Sequence, residues 1–147
     1  MKQVIFYCDT GFPYSVLAAA IRTGRLPADR RPHKNELAGV LHPCGMGKGD
    51  ARIYSFEKSS GGKRCLALWT DRQGDMVRRA ITSFLGLYRI EDYSLVILEY
   101  KKTPLMSAGI WISKMPLLRG AGLSMVCRGV KDIYAGLVET ACRETPP

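Results

Sequence analysis

The sequence predicts an α/β fold: a three-layer sandwich whose mainly parallel sheet carries an inserted β-hairpin. Three observations point there. A continuous apolar run near the N-terminus is followed by a short glycine loop and an alanine-rich helix. An amphipathic helical segment and a second β-rich run follow further on, and two alternating segments about a glycine turn lie between these units. Strands alternating with helices imply crossover connections, and therefore strands that run parallel with helices packed on the sheet faces.

Each element follows from its residues. Residues 2–8 end in Val4-Ile5-Phe6-Tyr7-Cys8 and stop at Asp9-Thr10-Gly11, the pattern of a strand buried on both faces. Pro13 suits a first helical turn, the Val16-Leu17-Ala18-Ala19-Ala20-Ile21 run has high helix propensity, and Gly24 ends it. Residues 25–50 are rich in breakers and charge and are expected to form a connection with one short helix near 33–41. Residues 51–69 read as a hairpin about the Gly61-Gly62 turn. From 73 to 88, Met76, Val77, Ala80, Ile81, Phe84, Leu85 and Tyr88 recur at helical intervals, which predicts an amphipathic helix. Residues 93–99 form another buried strand, and 105–118 a helix interrupted at Gly109 and closed at Pro116. Leu123–Cys127 is expected to be a short strand, Arg128-Gly129 a turn, and 130–143 a final helix.

At 147 residues and 46% hydrophobic composition, one α/β domain over 1–147 is expected, without help from disulfides or metal. No stretch approaches ~18 consecutive apolar residues, so no membrane partner is expected and the compartment is read as cytoplasmic. Five cysteines, at 8, 44, 65, 127 and 142, are an odd number without a Cys-x-x-Cys pair, which suits reduced thiols. His33 with His42 and Cys44 matches no zinc spacing, so no metal site is assigned, and no cofactor is identified.

In open parallel sheets, ligands bind beyond the carboxyl ends of the strands, where helix N-termini present unpaired amides. Those ends are the loops after residues 8, 99 and 127. Thr10, Gly11, Ser15, Lys101 and Arg128 are the candidate ligand-binding residues there: hydroxyls to donate, a glycine for close backbone approach, and cations to neutralise charge. This composition suits a phosphorylated or otherwise anionic small molecule. It is no standard phosphate loop, because the first loop lacks both the Gly-Lys-Ser/Thr ending and the Gly-x-Gly-x-x-Gly pattern. Gly45-Met46-Gly47-Lys48-Gly49 follows no strand and precedes no helix, so it reads as a loop. Cys8 occupies the place of a phosphatase nucleophile, but Tyr14 stands six residues on where an arginine is needed, leaving it a weak catalytic candidate for a hydrolase or transferase.

The net charge is +9, of which +6 lies in residues 1–72 and +3 in 73–147. Arg22, Arg25, Arg30, Arg31 and Lys34, then Lys48, Arg52, Lys58, Lys63 and Arg64 with Tyr54 and Phe56 interleaved, raise a second reading. This is a basic nucleic-acid-binding or protein-binding module without catalysis, using phosphate contacts and base stacking. Trp69, Trp111 and Leu118 exceed what one small core readily buries, which would fit a homodimer.

Phe6-Tyr7-Cys8, Gly11, Ser15 through Ile21, Gly24 and Leu26-Pro27 resemble the opening of a small bacterial domain-of-unknown-function family. Met106, Gly109, Ser113-Lys114, Gly120, Gly129 and Tyr134 resemble its closing segment. The first loop of that family usually reads Gly-Gly-Thr-His-Ser-Ser, where this chain has Thr10-Gly11-Phe12-Pro13-Tyr14-Ser15, without the histidine and one serine. The resemblance implies the fold and the compartment, and no reaction.

Overall fold

The structure, a computed structural model, describes residues 3–44, 53–57, 64–70 and 74–143, with the side chains of His42 and Cys44 outside that description. The elements in order are β1 (Gln3–Cys8), α1 (Tyr14–Arg22), α2 (Lys34–Cys44), β2 (Ile53–Glu57), β3 (Arg64–Trp69), α3 (Gly74–Leu87), β4 (Tyr93–Leu98), α4 (Pro104–Ser113) and α5 (Arg119–Cys142). The sheet is mixed, in the order β2-β3-β1-β4. β1 runs parallel to β3 and β4, with Cys8 level with Trp69 and Leu98, so the three carboxyl ends share one edge. β2 pairs antiparallel with β3, as the expected hairpin requires.

β1 is buried from Val4 to Cys8 because it has a strand on each side and side chains packed on both faces. Val4, Phe6 and Cys8 join Cys65, Ala67 and Trp69 in the main core, beneath α1, α2 and α5. α1 is buried along its length from Tyr14 to Ile21, and the run Ala18-Ala19-Ala20 supplies the small side chains a helix needs when surrounded. Its end is a Schellman motif. Gly24 adopts φ 81°, its N–H donates to the Ile21 carbonyl, and the Arg25 N–H donates to that of Ala20.

The C-terminal third differs from the sequence expectation. Leu123–Cys127 is not a strand and Arg128-Gly129 is not a turn; both lie inside the continuous 24-residue helix α5. Gly109 likewise sits inside α4 without interrupting it. The cause is close packing: a Cβ on Gly122 would stand 2.5 Å from the Gly109 carbonyl oxygen and 2.5 Å from the Ser113 nitrogen. Gly122, Val126, Gly129 and Val130 are buried at helical spacing, so contacts with α4 and the core override the β propensity of the Met125-Val126-Cys127 run.

Among the described helices, α3 alone lies on the opposite sheet face. Seven apolar residues at helical spacing predict a buried stripe, yet Leu85 alone among the α3 residues is buried. Phe84 is 59% and Tyr88, just beyond the helix, 62% exposed.

Candidate functional site

The carboxyl edge of the sheet is built around Cys8. After β1 the chain turns through Gly11, which needs its left-handed φ of 73° and whose N–H donates to the Thr70 carbonyl at 3.1 Å. The Thr70 N–H donates to the Cys8 carbonyl at 3.0 Å, tying the loop to the end of β3. The Cys8 thiol donates to the Phe12 carbonyl at 3.2 Å and lies 3.6 Å from the Ser15 hydroxyl oxygen. Burial pushes this thiol up, outweighing hydrogen bonds from the Ser15 hydroxyl and from the Ser15 and Tyr14 amides. A fully buried thiol held in its protonated form has neither the access nor the charge of a nucleophile.

Of the predicted ligand residues, the structure brings Thr10, Gly11 and Ser15 together in this loop, with Gly11 and Ser15 buried and already hydrogen-bonded. Lys101 adjoins through its backbone, where its carbonyl accepts from the Tyr14 hydroxyl at 3.2 Å. Arg128 does not follow a strand end; it is an exposed residue of α5. Its neighbour Gly129 lies against Met106 and Thr103, so α5 does reach the β4–α4 connection. That junction is filled by apolar groups. Phe12 and Tyr14 stack at 4.7 Å, Tyr14 and Tyr100 at 5.8 Å, and the Tyr14 hydroxyl lies 3.4 Å from the Met106 sulfur.

The three helix N-termini at this edge are served from within the chain. The Cys8 sulfur faces the start of α1, the Thr103 hydroxyl caps α4 by accepting from the Met106 N–H at 3.3 Å, and the Asp9 side chain packs against Gly74 at the start of α3. One polar group is left over: the buried Thr10 hydroxyl has no hydrogen-bond partner.

Several of the forward basic residues are engaged as well. Arg22 donates to the Ala141 carbonyl, Arg30 pairs with Glu36, Arg64 pairs with Glu57, and Arg25 lies over the Phe56 ring. Phe56 is buried and Tyr54 packs against the core, so neither offers a face to a nucleobase. Lys48, Arg52, Lys58 and Lys63 lie outside the described residues, as does the Gly45–Gly49 loop. Among the described residues no group of three potential metal ligands is assembled. Trp69 is core, whereas Trp111 and Leu118 are exposed.

A second place for a ligand lies where the sequence marked none. Between α3 and the sheet is a cleft of about 430 Å³ lined by Ile5, Ile53, Leu66, Leu68, Ala80, Ile81, Phe84 and Leu85. The period-two alternation of β1 and β3 produces its floor, because Ile5, Leu66 and Leu68 point away from the main core. The signal for its roof is the apolar stripe of α3, which the sequence shows as an amphipathic helix. Periodicity reports which face is apolar, and not how closely that face approaches the sheet.

The family model described as Protein of unknown function (DUF3189) matches residues 3–142. The chain belongs to that family. No curated protein and no solved structure matches it. The DUF3189 match covers every described element, from β1 to the end of α5, so the junction at Cys8 and the cleft beneath α3 both fall within the family's domain.

Proposed function

We propose that this chain is a binding protein that takes a small, uncharged apolar molecule between α3 and the sheet. The observation that supports this is the cleft itself. Its volume lies in the range of small-molecule sites, roughly 300–1,000 Å³, and all eight lining residues are apolar. A roof and a floor suit a compact molecule better than a flat macromolecular surface, and desolvation of its lining supplies the driving force. A charged ligand is disfavoured there, since among the described residues no lining side chain could pair with it. The test uses the neutral fluorophore N-phenyl-1-naphthylamine with the whole chain and with Ala80→Phe, which fills the cleft from the helix side. Saturable uptake at one probe per chain, reduced at least about tenfold by Ala80→Phe, is expected. No uptake, or uptake indifferent to that substitution, contradicts the proposal. Loss of uptake because the wild-type chain pairs through α3 would assign the cleft to a second copy.

A second function, binding an anionic small molecule at the strand ends through Thr10, Gly11, Ser15 and Lys101, is favoured by one observation. The buried Thr10 hydroxyl lacks a partner, and an anion's oxygen would accept from it. Inorganic phosphate should then raise the melting temperature of the wild-type chain and leave that of Thr10→Val unchanged. Equal response of the two proteins removes this alternative.

A further inference from the structure

α4 and the first half of α5 form a helical hairpin whose tip carries both exposed apolar groups and an unbroken sign of charge. From Tyr100 to Lys131 there is no acidic residue, while Lys101, Lys102, Lys114, Arg119, Arg128 and Lys131 are basic. Every residue from Lys114 to Ala121 is exposed. Within that stretch Leu117 is 97% exposed, flanked by exposed Met115 and Leu118, and Trp111 on the last turn of α4 is 63% exposed. α4 contains no charged residue, and its extensive packing among the described elements is with α5 alone. An uncharged apolar helix with one packed face leaves its other face in water. Lys34 reaches the same end of the hairpin, its ammonium donating to the Gly120 carbonyl at 3.3 Å.

We infer that this tip docks on an anionic lipid surface. The apolar residues Trp111, Met115, Leu117 and Leu118 would enter the headgroup boundary, with Lys34, Lys114 and Arg119 as a collar against lipid phosphates. Tryptophan suits that boundary because its ring is apolar and its indole N–H is polar. Lysine and arginine lay their stems along the apolar zone while their heads remain at the phosphates. The absence of any carboxylate across 100–131 favours a lipid surface over a patterned protein partner, which would be met by both signs. No described helix is long and apolar enough to cross a membrane, so the contact is peripheral. The sequence expectation of no membrane partner rested on the lack of a spanning segment, and that lack holds among the described helices.

The test is co-sedimentation of the full chain with vesicles of phosphatidylglycerol and phosphatidylcholine in equal parts, against phosphatidylcholine alone, with tryptophan emission recorded. Trp69 is 2% exposed and already in an apolar setting, so a blue shift on vesicle addition reports Trp111. The expected result is sedimentation with the anionic vesicles only, a blue shift, and loss of both with rising salt. Trp111→Ser with Leu117→Asp, or separately Lys114→Glu with Arg119→Glu, should each lower partitioning on the order of tenfold or more. Equal sedimentation with both vesicle types, none with either, or undiminished sedimentation of both double variants overturns the inference. So does a Leu117→Asp variant that converts a lipid-indifferent dimer to a monomer, since the tip would then be an interface between copies.

Discussion

Gly122 and Gly39 are both helical glycines, yet opposite outcomes are expected when each gains a methyl group. A Cβ at Gly122 meets backbone atoms of α4 at 2.5 Å, and backbone cannot move aside as a flexible side chain would. Gly122→Ala should therefore lower stability by about 2 kcal/mol, the cost of separating the helices exceeding the roughly 1 kcal/mol gained in helix propensity. A Cβ at Gly39 meets nothing within 4 Å, so Gly39→Ala should stabilise by about 0.5–1 kcal/mol. Urea midpoints of the two variants measure the contrast. Burial also raises the Cys8 thiol, and the Tyr14 and Tyr134 phenols, with Tyr134 pushed up to about 12. Groups raised on folding contribute their full stability below the unfolded values of 9.0 for the thiol and 10.0 for the phenols. That contribution is lost as pH rises towards the folded values, because the unfolded chain releases these protons first. Urea midpoints should hold steady below about pH 9 and then fall through about pH 11, and a midpoint that rises over that interval would contradict the burial of these groups.

At the scale of elements, the N-terminal two thirds of the fold was legible in local pattern. β1, α1, the hairpin, α3 and β4 each carry a self-contained signal of propensity, periodicity or punctuation, and each stands where that signal placed it, although β4 is a half-buried edge strand with Leu98 alone buried, and not the buried strand expected. The Leu123–Cys127 segment reads locally as a strand because the flanking Gly122 and Gly129 look like punctuation; their role is close contact with α4 and the residue that caps it. That error also carried Arg128 to a strand end that does not exist. The carboxyl edge of the sheet was legible from the topology, and Thr10, Gly11 and Ser15 do share it, but no local pattern foretells that Phe12, Tyr14, Tyr100 and Met106 would fill the junction. The cleft was invisible for the same reason, since helix standoff depends on the whole packing. Because α3 is anchored through Leu85, Leu85→Ala should cost less than about 2 kcal/mol, against about 3 kcal/mol or more for Leu17→Ala in the closed core. Hydrogen exchange should likewise protect β1 more strongly than α3, and equal protection would mean that α3 is held more firmly than its burial implies.

For the whole molecule, the net charge of +9 and the apolar surfaces divide into separate regions. Several forward cations engage carbonyls, carboxylates or a ring, whereas Lys114 and Arg119 stand at the apolar tip between α4 and α5. The cleft lies on the other face of the sheet and takes no charge from either group. Nucleic-acid affinity is therefore expected to be weak, and the ligand of the cleft to bind with little dependence on salt. The decisive measurement is a methyl NMR titration of isoleucine-labelled protein with N-phenyl-1-naphthylamine. Ile5, Ile53 and Ile81 line the cleft; Ile21, Ile110, Ile112 and Ile133 do not. Of the chain's nine isoleucines, saturating shifts of Ile5, Ile53 and Ile81, with Ile21, Ile110, Ile112 and Ile133 unmoved, are what an apolar site beneath α3 predicts. Unmoved Ile5, Ile53 and Ile81, or shifts confined to Ile110 and Ile112 on α4, would contradict it.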